Sequence, residues 1–375
     1  MSGTIEGNSS RSSGSIAAKG SGITTSASDP TTSTNPESVG TMFVNTASGE
    51  TYVCTDITAG ENVWKNVGGG TGDIAPFHFT NAALYCFNPG GATTGDQNQL
   101  HIDKFVFASD GDAADQGDLT QNRRGMSHSS STTHGYSCGG YAMSPAPVGQ
   151  SNFIDKFAMA SPASATDVGD LSTTGETHAG ITSETHGHAV GGGHGLRRCD
   201  RYSFASDGNA VNLGNFLSVN RDYPQGGSSQ THGYIMGSYS GTPTNQIEKF
   251  AFADDTLTAN VGDITQAKVK GASHSQVGYV WTSGSFQPPA TDQIDKMSTA
   301  TDSDSVDSVS NLSEDLYGTG CGSMSSTYGY CMGGAIAGAR NDVCDKWPFA
   351  SSSTATVVGS LTNAHDAVFF SGCQI

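Results

Sequence analysis

Ile102-Asp103-Lys104-Phe105 is the stretch of sequence that decides the fold, because its pattern of residue types occurs six times. Each copy has Ile or Cys first, then an acid, a base and a large apolar side chain; we call each copy an anchor. The anchors begin at residues 102, 154, 199, 247, 294 and 344, so the steps between them are 52, 45, 48, 47 and 50 residues. A fixed period of this size indicates an array of one supersecondary unit.

Other features repeat together with the anchor. A glycine-rich strand signal lies before it, as in Gly135-Tyr136-Ser137-Cys138-Gly139-Gly140, and a short apolar stretch follows it, as in Val168-Gly169-Asp170-Leu171. Each unit therefore contains four short strand candidates separated by Gly, Asp, Asn or Ser. Four strands in about 50 residues are typical of one blade of a β-propeller. We set a helical solenoid aside, because no unit shows an apolar period of 3.6.

In these residues the chain resembles the kelch-repeat propellers. Gly139-Gly140 precedes Ile154-Asp155-Lys156-Phe157, and Gly333-Gly334 precedes Cys344-Asp345-Lys346-Trp347, as a double glycine precedes the charged strand in that family. The usual tryptophan of the fourth strand is missing. The resemblance covers residues 77 to 375 and implies an all-β fold, a six-bladed kelch-like β-propeller. It implies nothing about activity, because propellers host unrelated functions.

The region before the repeats has a different composition. Residues 1–39 are rich in Ser, Thr, Gly and Asn, so they cannot bury enough surface to offset their ordering entropy, and we expect an extended segment. Residues 40–70 contain three strand signals and predict a small three-stranded β module that is marginal alone. The glycine run from Gly68 to Gly72 marks a linker, and residues 71–375 form the predicted propeller.

The small module resembles the β modules near the amino termini of bacteriophage tail fibres and related virion proteins. The residues that carry this resemblance are Gly40 to Asn45, Gly49 to Asp56 and Asn62 to Gly68. The Ile-Asp-Lys-Phe and Val-Gly-Asp-Leu signatures are similar to repeats in structural proteins of marine and cyanobacterial phages. The two resemblances imply a virion protein, a fibre, spike or decoration component assembled in the host cytoplasm. Residues 1–70 would then bind other virion proteins or another copy of this chain, and the propeller would face outward.

Composition narrows the range of partners. The chain has 17 Lys and Arg against 35 Asp and Glu, a formal net charge of −18, which repels phosphate and argues against nucleic acid. No run of 18 apolar residues exists, so we expect no membrane span. Met1-Ser2-Gly3-Thr4-Ile5-Glu6 lacks the basic and apolar regions of a secretory signal. The eight cysteines favour buried free thiols over disulfides, since several occupy apolar repeat positions.

Two patterns suggest chemistry, and the repeat explains both. His186, His188 and His194 could hold a transition metal, but His186 occupies the repeat slot of His134, and His188 that of a tyrosine. We therefore expect no metal and no cofactor. The repeated acid and base point to opposite faces of their strand, so they do not form a catalytic pair. We expect each acid to accept hydrogen bonds from backbone or hydroxyl donors beside its blade, and we expect no enzymatic activity.

The loops between the glycine-rich strand and the anchor strand differ most in length and content. Variable loops on a repeated scaffold are where recognition usually resides. Their tips carry Pro145, Pro147, Pro288 and Pro289, and the candidate binding residues Tyr141, Tyr239, Phe286 and Arg340. Tyr and Arg offer flat area and hydrogen bonds, so this surface is predicted to bind a host glycan or a neighbouring virion protein.

Two alternatives from other classes stay open at this point. A carbohydrate-active enzyme on a propeller would place different acids from different blades around the central opening, whereas here the acids repeat. A secreted adhesion module would carry a secretion signal, and none is seen in the first residues.

Overall fold

The computed structural model describes residues 23–67, 84–93, 99–143, 148–193, 197–276, 278–285, 290–316, 319–336, 339–366 and 373–374. Every regular element in these ranges is a β-strand, and no residue in them is helical. Accordingly, this part of the chain contains no helix able to cross a membrane. The prediction of an all-β fold is confirmed. The chain divides into two compact units, Met1–Phe77 and His78–Ile375.

The first unit contains a sheet of four strands, where the sequence predicts three. In order across the sheet they are β1 (Ile23–Ser26), β2 (Met42–Asn45), β3 (Thr51–Asp56) and β4 (Val63–Asn66). β1 comes from the segment expected to be extended, and it pairs parallel with β2. Phe43, Tyr52, Cys54 and Trp64 pack together on one face, so the module has a small hydrophobic core of its own. Residues 1–22 and the glycine linker lie outside the described residues.

The strands of the second unit are short. In chain order they are β5 (Tyr85–Pro89), β6 (Ala92–Thr93), β7 (His101–Val106), β8 (Ala114–Asp118), β9 (Arg123–Arg124), β10 (Ser127–Ser130), β11 (His134–Cys138), β12 (Tyr141–Ala142), β13 (Gly149–Gln150), β14 (Phe153–Ala158), β15 (Thr166–Asp170), β16 (Ala179–Thr182) and β17 (His186–Val190). They continue with β18 (Cys199–Ser203), β19 (Val211–Asn212), β20 (Gln225–Ser228), β21 (His232–Tyr239), β22 (Pro243–Ala251), β23 (Leu257–Asp263), β24 (Ala272–Gln276), β25 (Tyr279–Ser285), β26 (Thr291–Ser298), β27 (Val306–Leu316), β28 (Thr319–Met324), β29 (Tyr328–Ile336), β30 (Ala339–Pro348), β31 (Thr356–Ser360), β32 (His365–Asp366) and β33 (Cys373–Gln374).

Most of these strands belong to six antiparallel sheets of four strands each in the described part of the unit. Sheet 1 has the order β33-β5-β7-β8, and sheet 2 the order β10-β11-β14-β15. Sheets 3 to 6 are β16-β17-β18-β19, β20-β21-β22-β23, β24-β25-β26-β27 and β28-β29-β30-β31. The third strand of every sheet carries an anchor, so each sequence repeat corresponds to one sheet. Two smaller sheets, β13-β12-β9 and β32-β6, accompany them.

The first strands of consecutive sheets contact each other. β10 contacts β16, β16 contacts β20, β20 contacts β24 and β24 contacts β28. β33 contacts both β28 and β10, and it pairs antiparallel with β5 through Cys373 opposite Phe87. The last described strand therefore joins the first sheet; residues 367–372 before it lie outside the described residues.

The hydrophobic core of this unit is divided among the sheet interfaces. Six clusters of buried residues occur, and each draws its members from two sheets. One cluster joins Phe105 and Phe107 of sheet 1 to Tyr330 and Met332 of sheet 6. The five anchor aromatic side chains are at most 4% exposed: Phe105, Phe157, Tyr202, Phe250 and Trp347. Seven cysteines are buried and free, which confirms that interpretation for them.

The repeated glycine before the tyrosine slot makes room for the anchor aromatic. Gly135 lies opposite Phe157 in the neighbouring strand, and a Cβ on Gly135 would come within 2.3 Å of the Phe157 ring. Gly187, Gly233 and Gly329 stand in the same relation to the anchor rings of their sheets. The glycine and the aromatic residue are therefore one packing unit, which explains why the sequence repeats them together.

Candidate functional site

The six anchor acids lie buried at the interfaces between sheets. Each accepts a hydrogen bond from a Ser or Thr at or just after the fourth strand of the preceding sheet. In sheet 2, Asp155 accepts from the Thr120 backbone N–H at 2.9 Å and from the Thr120 hydroxyl at 2.6 Å. The other pairs are Asp200 with Ser172, Glu248 with Ser218, Asp295 with Thr265, Asp345 with Ser313, and Asp103 with Thr362. The expectation that the acids serve backbone and hydroxyl donors is confirmed.

A second buried group, which the sequence analysis did not detect, completes three of these junctions. Arg123, with its side chain fully buried, places Nη2 2.6 Å from Asp155 Oδ2. Arg221 donates from Nε to Glu248 at 2.8 Å, and Lys268 Nζ lies 3.2 Å from Asp295 Oδ2. Burial lowers the pKa of both Arg221 and Lys268, and the adjacent carboxylate opposes that shift.

The signal for these cations is a fixed spacing. Arg123, Arg221 and Lys268 each stand three residues after the hydroxyl that binds the acid. In sheet 3 that position is Gly175, and Arg198, the residue before the anchor strand, lies there instead, with Nε 3.8 Å from Asp200. The Ser/Thr-x-x-Arg/Lys pattern is present in the sequence, but only in three of the six repeats.

The anchor bases reach the opposite neighbour. Lys156 binds Asp207 of the next sheet at 2.8 Å, and Lys249 binds Asp302 at 2.5 Å. Arg201 with Asp255, and Lys346 with Asp110, form the same contact. Each of these aspartates stands six residues after the base of the anchor in its own sheet. In sheets 2 and 6 the same position holds Pro162 and Ser352 instead. Lys104 and Lys296 are the anchor bases of the sheets that precede sheets 2 and 6, and each lies near an aromatic ring. Lys104 Nζ is 3.8 Å from the Tyr85 ring centroid, and Lys296 Nζ is 5.4 Å from the Trp281 ring centroid.

Two of the histidines that could hold a metal, His186 and His188, lie at repeat positions of β17. His188 is 1% exposed and stacks on Phe252 at 5.5 Å, and burial lowers its pKa to about 3. His186 Nδ1 lies 2.8 Å from the Thr185 hydroxyl, and the two imidazole rings are 6.5 Å apart. No group of three His, Cys, Asp or Glu side chains suited to a metal occurs in the described ranges. His194 lies outside them.

The three predicted binding residues that the structure describes fall on different sheets. Tyr141 is in β12 beside sheet 2, half-buried, with the Arg124 guanidinium carbon 5.6 Å from its ring centroid. Tyr239 ends β21 of sheet 4 and is 41% exposed. Arg340 is half-buried in β30 of sheet 6. Phe286 and the four loop prolines lie outside the described residues.

A further group of side chains lies at the same end of the sheets as these loops. Consecutive strands of a sheet are antiparallel. The connection from the fourth strand of one sheet to the first strand of the next sheet therefore lies at the same end as the loop between the second and third strands. These connections carry Arg124, Glu176, Asp222, Tyr223 and Lys270, which we call the turn cluster. Asp222 and Tyr239 exchange two backbone hydrogen bonds, so the turn cluster is continuous with a predicted binding residue.

Backbone contacts fix the turns that carry the cluster. The second glycine of three double glycines donates its N–H to a carbonyl of the following turn: Gly91 to Arg123, Gly140 to Gly175, and Gly192 to Arg221, at 2.8 to 3.0 Å. Both glycines of Gly139-Gly140 have positive φ, 64° and 97°, which side chains rarely adopt. The double glycine is therefore the device that positions the turns.

Comparison with other proteins leaves the site's chemistry to be argued from the structure. Neither the protein-family models nor the curated protein sequences give a match to this chain.

Proposed function

We propose that the six sheets are the blades of a closed six-bladed kelch-like β-propeller. The support comes from contacts between sheet 6 and sheet 1 that repeat those of the other interfaces. Asp103 binds Thr362, Lys346 binds Asp110, and Phe107 stacks on Tyr330 at 4.4 Å. The Ala113 N–H also donates to the Ser360 carbonyl at 2.7 Å. A ring of blades that closes in this way leaves only short, protected strand edges.

We propose further that the protein is a non-enzymatic virion component, a fibre, spike or decoration protein that acts by binding. One observation carries this proposal: all six repeated carboxylates accept hydrogen bonds at the interfaces between sheets. They therefore stabilise the scaffold. The resemblance of the repeats and the small module to phage structural proteins supplies the virion setting. The turn cluster and the neighbouring loops are the surface for a host glycan or a virion partner.

The first unit is the proposed attachment module. Its sheet has one packed face, and the opposite face carries a row formed by Ile23, Met42, Val53 and Lys65 across the four strands. Ile23 is 51% and Met42 37% exposed. Apolar side chains on an open sheet face suit burial against another virion protein or a second copy of the chain.

Mass spectrometry of purified particles, together with a deletion of residues 1–70, tests this function. We expect the full chain in the particles, and we expect the truncated chain to fold but to be missing from them. Circular dichroism of the truncated chain provides the folding control. Particles that lack the full chain would overturn the virion role, and particles that retain the truncated chain would overturn attachment through the first unit.

A further inference from the structure

Three residues of the sheet-to-sheet turns share an unusual backbone conformation. Thr177, Tyr223 and Lys270 have φ of 63°, 53° and 61°, and each stands five residues after the hydroxyl that binds an anchor acid. The equivalent residue of the preceding turn is Gly125, with φ of 66°. All four turns therefore have a left-handed residue at this position, and glycine adopts that conformation without strain. A side chain in this left-handed region costs about 1–3 kcal/mol, and a β-branched threonine is a clear outlier.

The strained side chains contact each other and their neighbours across turns. The Thr177 hydroxyl donates to Asp222 Oδ1 at 2.8 Å, and Thr177 itself is 2% exposed. Lys270 Nζ lies 4.7 Å from the Tyr223 ring centroid. Burial raises the pKa of Tyr223, and Asp222 and Glu176 add to the rise, whereas Arg124 opposes it. Tyr223 therefore keeps its proton at neutral pH and lies close to charged groups from three other turns.

The chemistry of this surface matches hydroxyl groups. Arg124 and Lys270 are cationic, Glu176 and Asp222 are anionic, so the turn cluster has equal numbers of charged donors and acceptors around one aromatic ring. A hydroxyl both donates and accepts, so neighbouring hydroxyls can bind an acid and a base side by side. A ring with a half-buried face suits the apolar side of a sugar. An anionic ligand gains nothing from a cluster of zero formal charge on a chain of net charge −18.

We propose that the turn cluster is a binding site for an uncharged saccharide, with Thr177 as a positioning residue for the Asp222 carboxylate. This inference rests on the proposed binding role and gives it a ligand class. The strain at three equivalent positions is retained because it holds the side chains in place before the ligand arrives, which lowers the entropic cost of binding.

The test compares relief of strain inside and outside the site. Full-length wild type, Tyr223→Gly, Lys270→Gly and the control Val309→Gly are applied to an array of neutral saccharides with matched sialylated, sulfated and phosphorylated forms. Val309 has φ of 57° and is 72% exposed on the fourth strand of sheet 5, so its change relieves comparable strain away from the turns. Thermal unfolding of each variant is measured in parallel.

We expect wild type and Val309→Gly to bind the same neutral saccharide. Tyr223→Gly and Lys270→Gly should lose about tenfold or more in affinity, which corresponds to about 1.4 kcal/mol, without a lower unfolding temperature. Binding of acidic forms only, binding unchanged in both site variants, or no binding at all would each overturn the inference. The presence of the chain in purified particles is measured independently, so the virion role stands or falls on its own result.

Discussion

The two charged residues of one anchor meet very different surroundings. Glu248 is fully buried and bonded to Arg221 and Ser218 on one side of its strand. Lys249, the next residue, points to the other neighbour and binds Asp302, whose side chain is 48% exposed. The sequence makes the acid and the base look like equal partners in a repeated motif. The structure shows that Glu248 and Arg221 form a buried contact, which we call the dry junction, whereas Lys249 and Asp302 form a solvent-exposed one, the solvated junction. The two junctions should therefore differ greatly in their contribution to the stability of the fold.

The largest effect is expected from breaking the dry junction. Arg221→Ala leaves Glu248 as an uncompensated buried charge, and the loss of stability should be about 3–5 kcal/mol. Asp302→Ala, the matched change on the solvated side of the same anchor, should cost less than about 1 kcal/mol. Urea denaturation of the two variants measures both. Equal losses of stability in the two variants would show that burial does not make one junction contribute more than the other.

A double variant sharpens the same comparison. Glu248→Gln removes the charge but keeps an acceptor for Ser218, so combining it with Arg221→Met should recover part of the stability lost in Arg221→Ala. If the double variant is no more stable than the single one, the unpaired carboxylate is not the source of the loss.

Acid should destabilise the protein through the buried histidines. Burial lowers the pKa of His128, His178, His188 and His274 to about 3, well below the ordinary value of 6.5. Between pH 6.5 and 3 the unfolded chain takes up protons that the folded chain refuses, so stability falls as the pH drops. At pH 5 each such histidine should lower stability by about 2 kcal/mol.

The half-buried histidines supply the control for this titration. His274→Gln should flatten the fall of stability between pH 6.5 and 5, measured by urea denaturation at each pH. Burial also lowers the pKa of His232, and Lys249 adds to that shift. Because His232 is only half-buried, His232→Gln should flatten the fall less than His274→Gln does. A steeper fall in His274→Gln than in wild type would contradict the assigned sign.

The smallest effect should come from adding a solvated junction where the chain lacks one. Ser352 stands where four sheets have an aspartate, and Lys296 of sheet 5 is the anchor base that faces this position. Ser352→Asp should add about 0.2–1 kcal/mol, and the gain should shrink in concentrated salt. Thermal unfolding at low and high salt measures it. A gain in stability larger than the loss caused by Arg221→Ala would reverse the order proposed for the solvated and dry junctions.

The parts of the fold that repeat were predictable from sequence, and the parts that vary between repeats were not. The period of the anchors predicted the number of four-stranded sheets, and the repetition of the acid predicted the scaffold role of Asp155. Arg123 was missed because a buried arginine cannot be told from a solvated one without its partner. β1 was missed because it pairs parallel with β2, so no turn signal joins the two strands.

The candidate site was the least predictable feature. Tyr223 and Lys270 adopt a backbone conformation that their residue types disfavour, so local propensity points away from it. Only the alignment of their φ angles with that of Gly125 reveals that the turns are equivalent. Sequence reasoning selected the loops beside the turns, where Tyr141 and Tyr239 lie, because composition there is variable.

The pairing of β33 with β5 has a consequence for biosynthesis. Asp103 and its partner Thr362 are 259 residues apart, and Cys373 must be made before sheet 1 has its first strand. During translation the nascent chain therefore carries an unpaired strand edge while the other repeats are added. Non-local pairing of this kind slows folding, and open edges promote aggregation. We expect production of the protein to depend on chaperones that shield β5 until the ribosome has released the end of the repeat array.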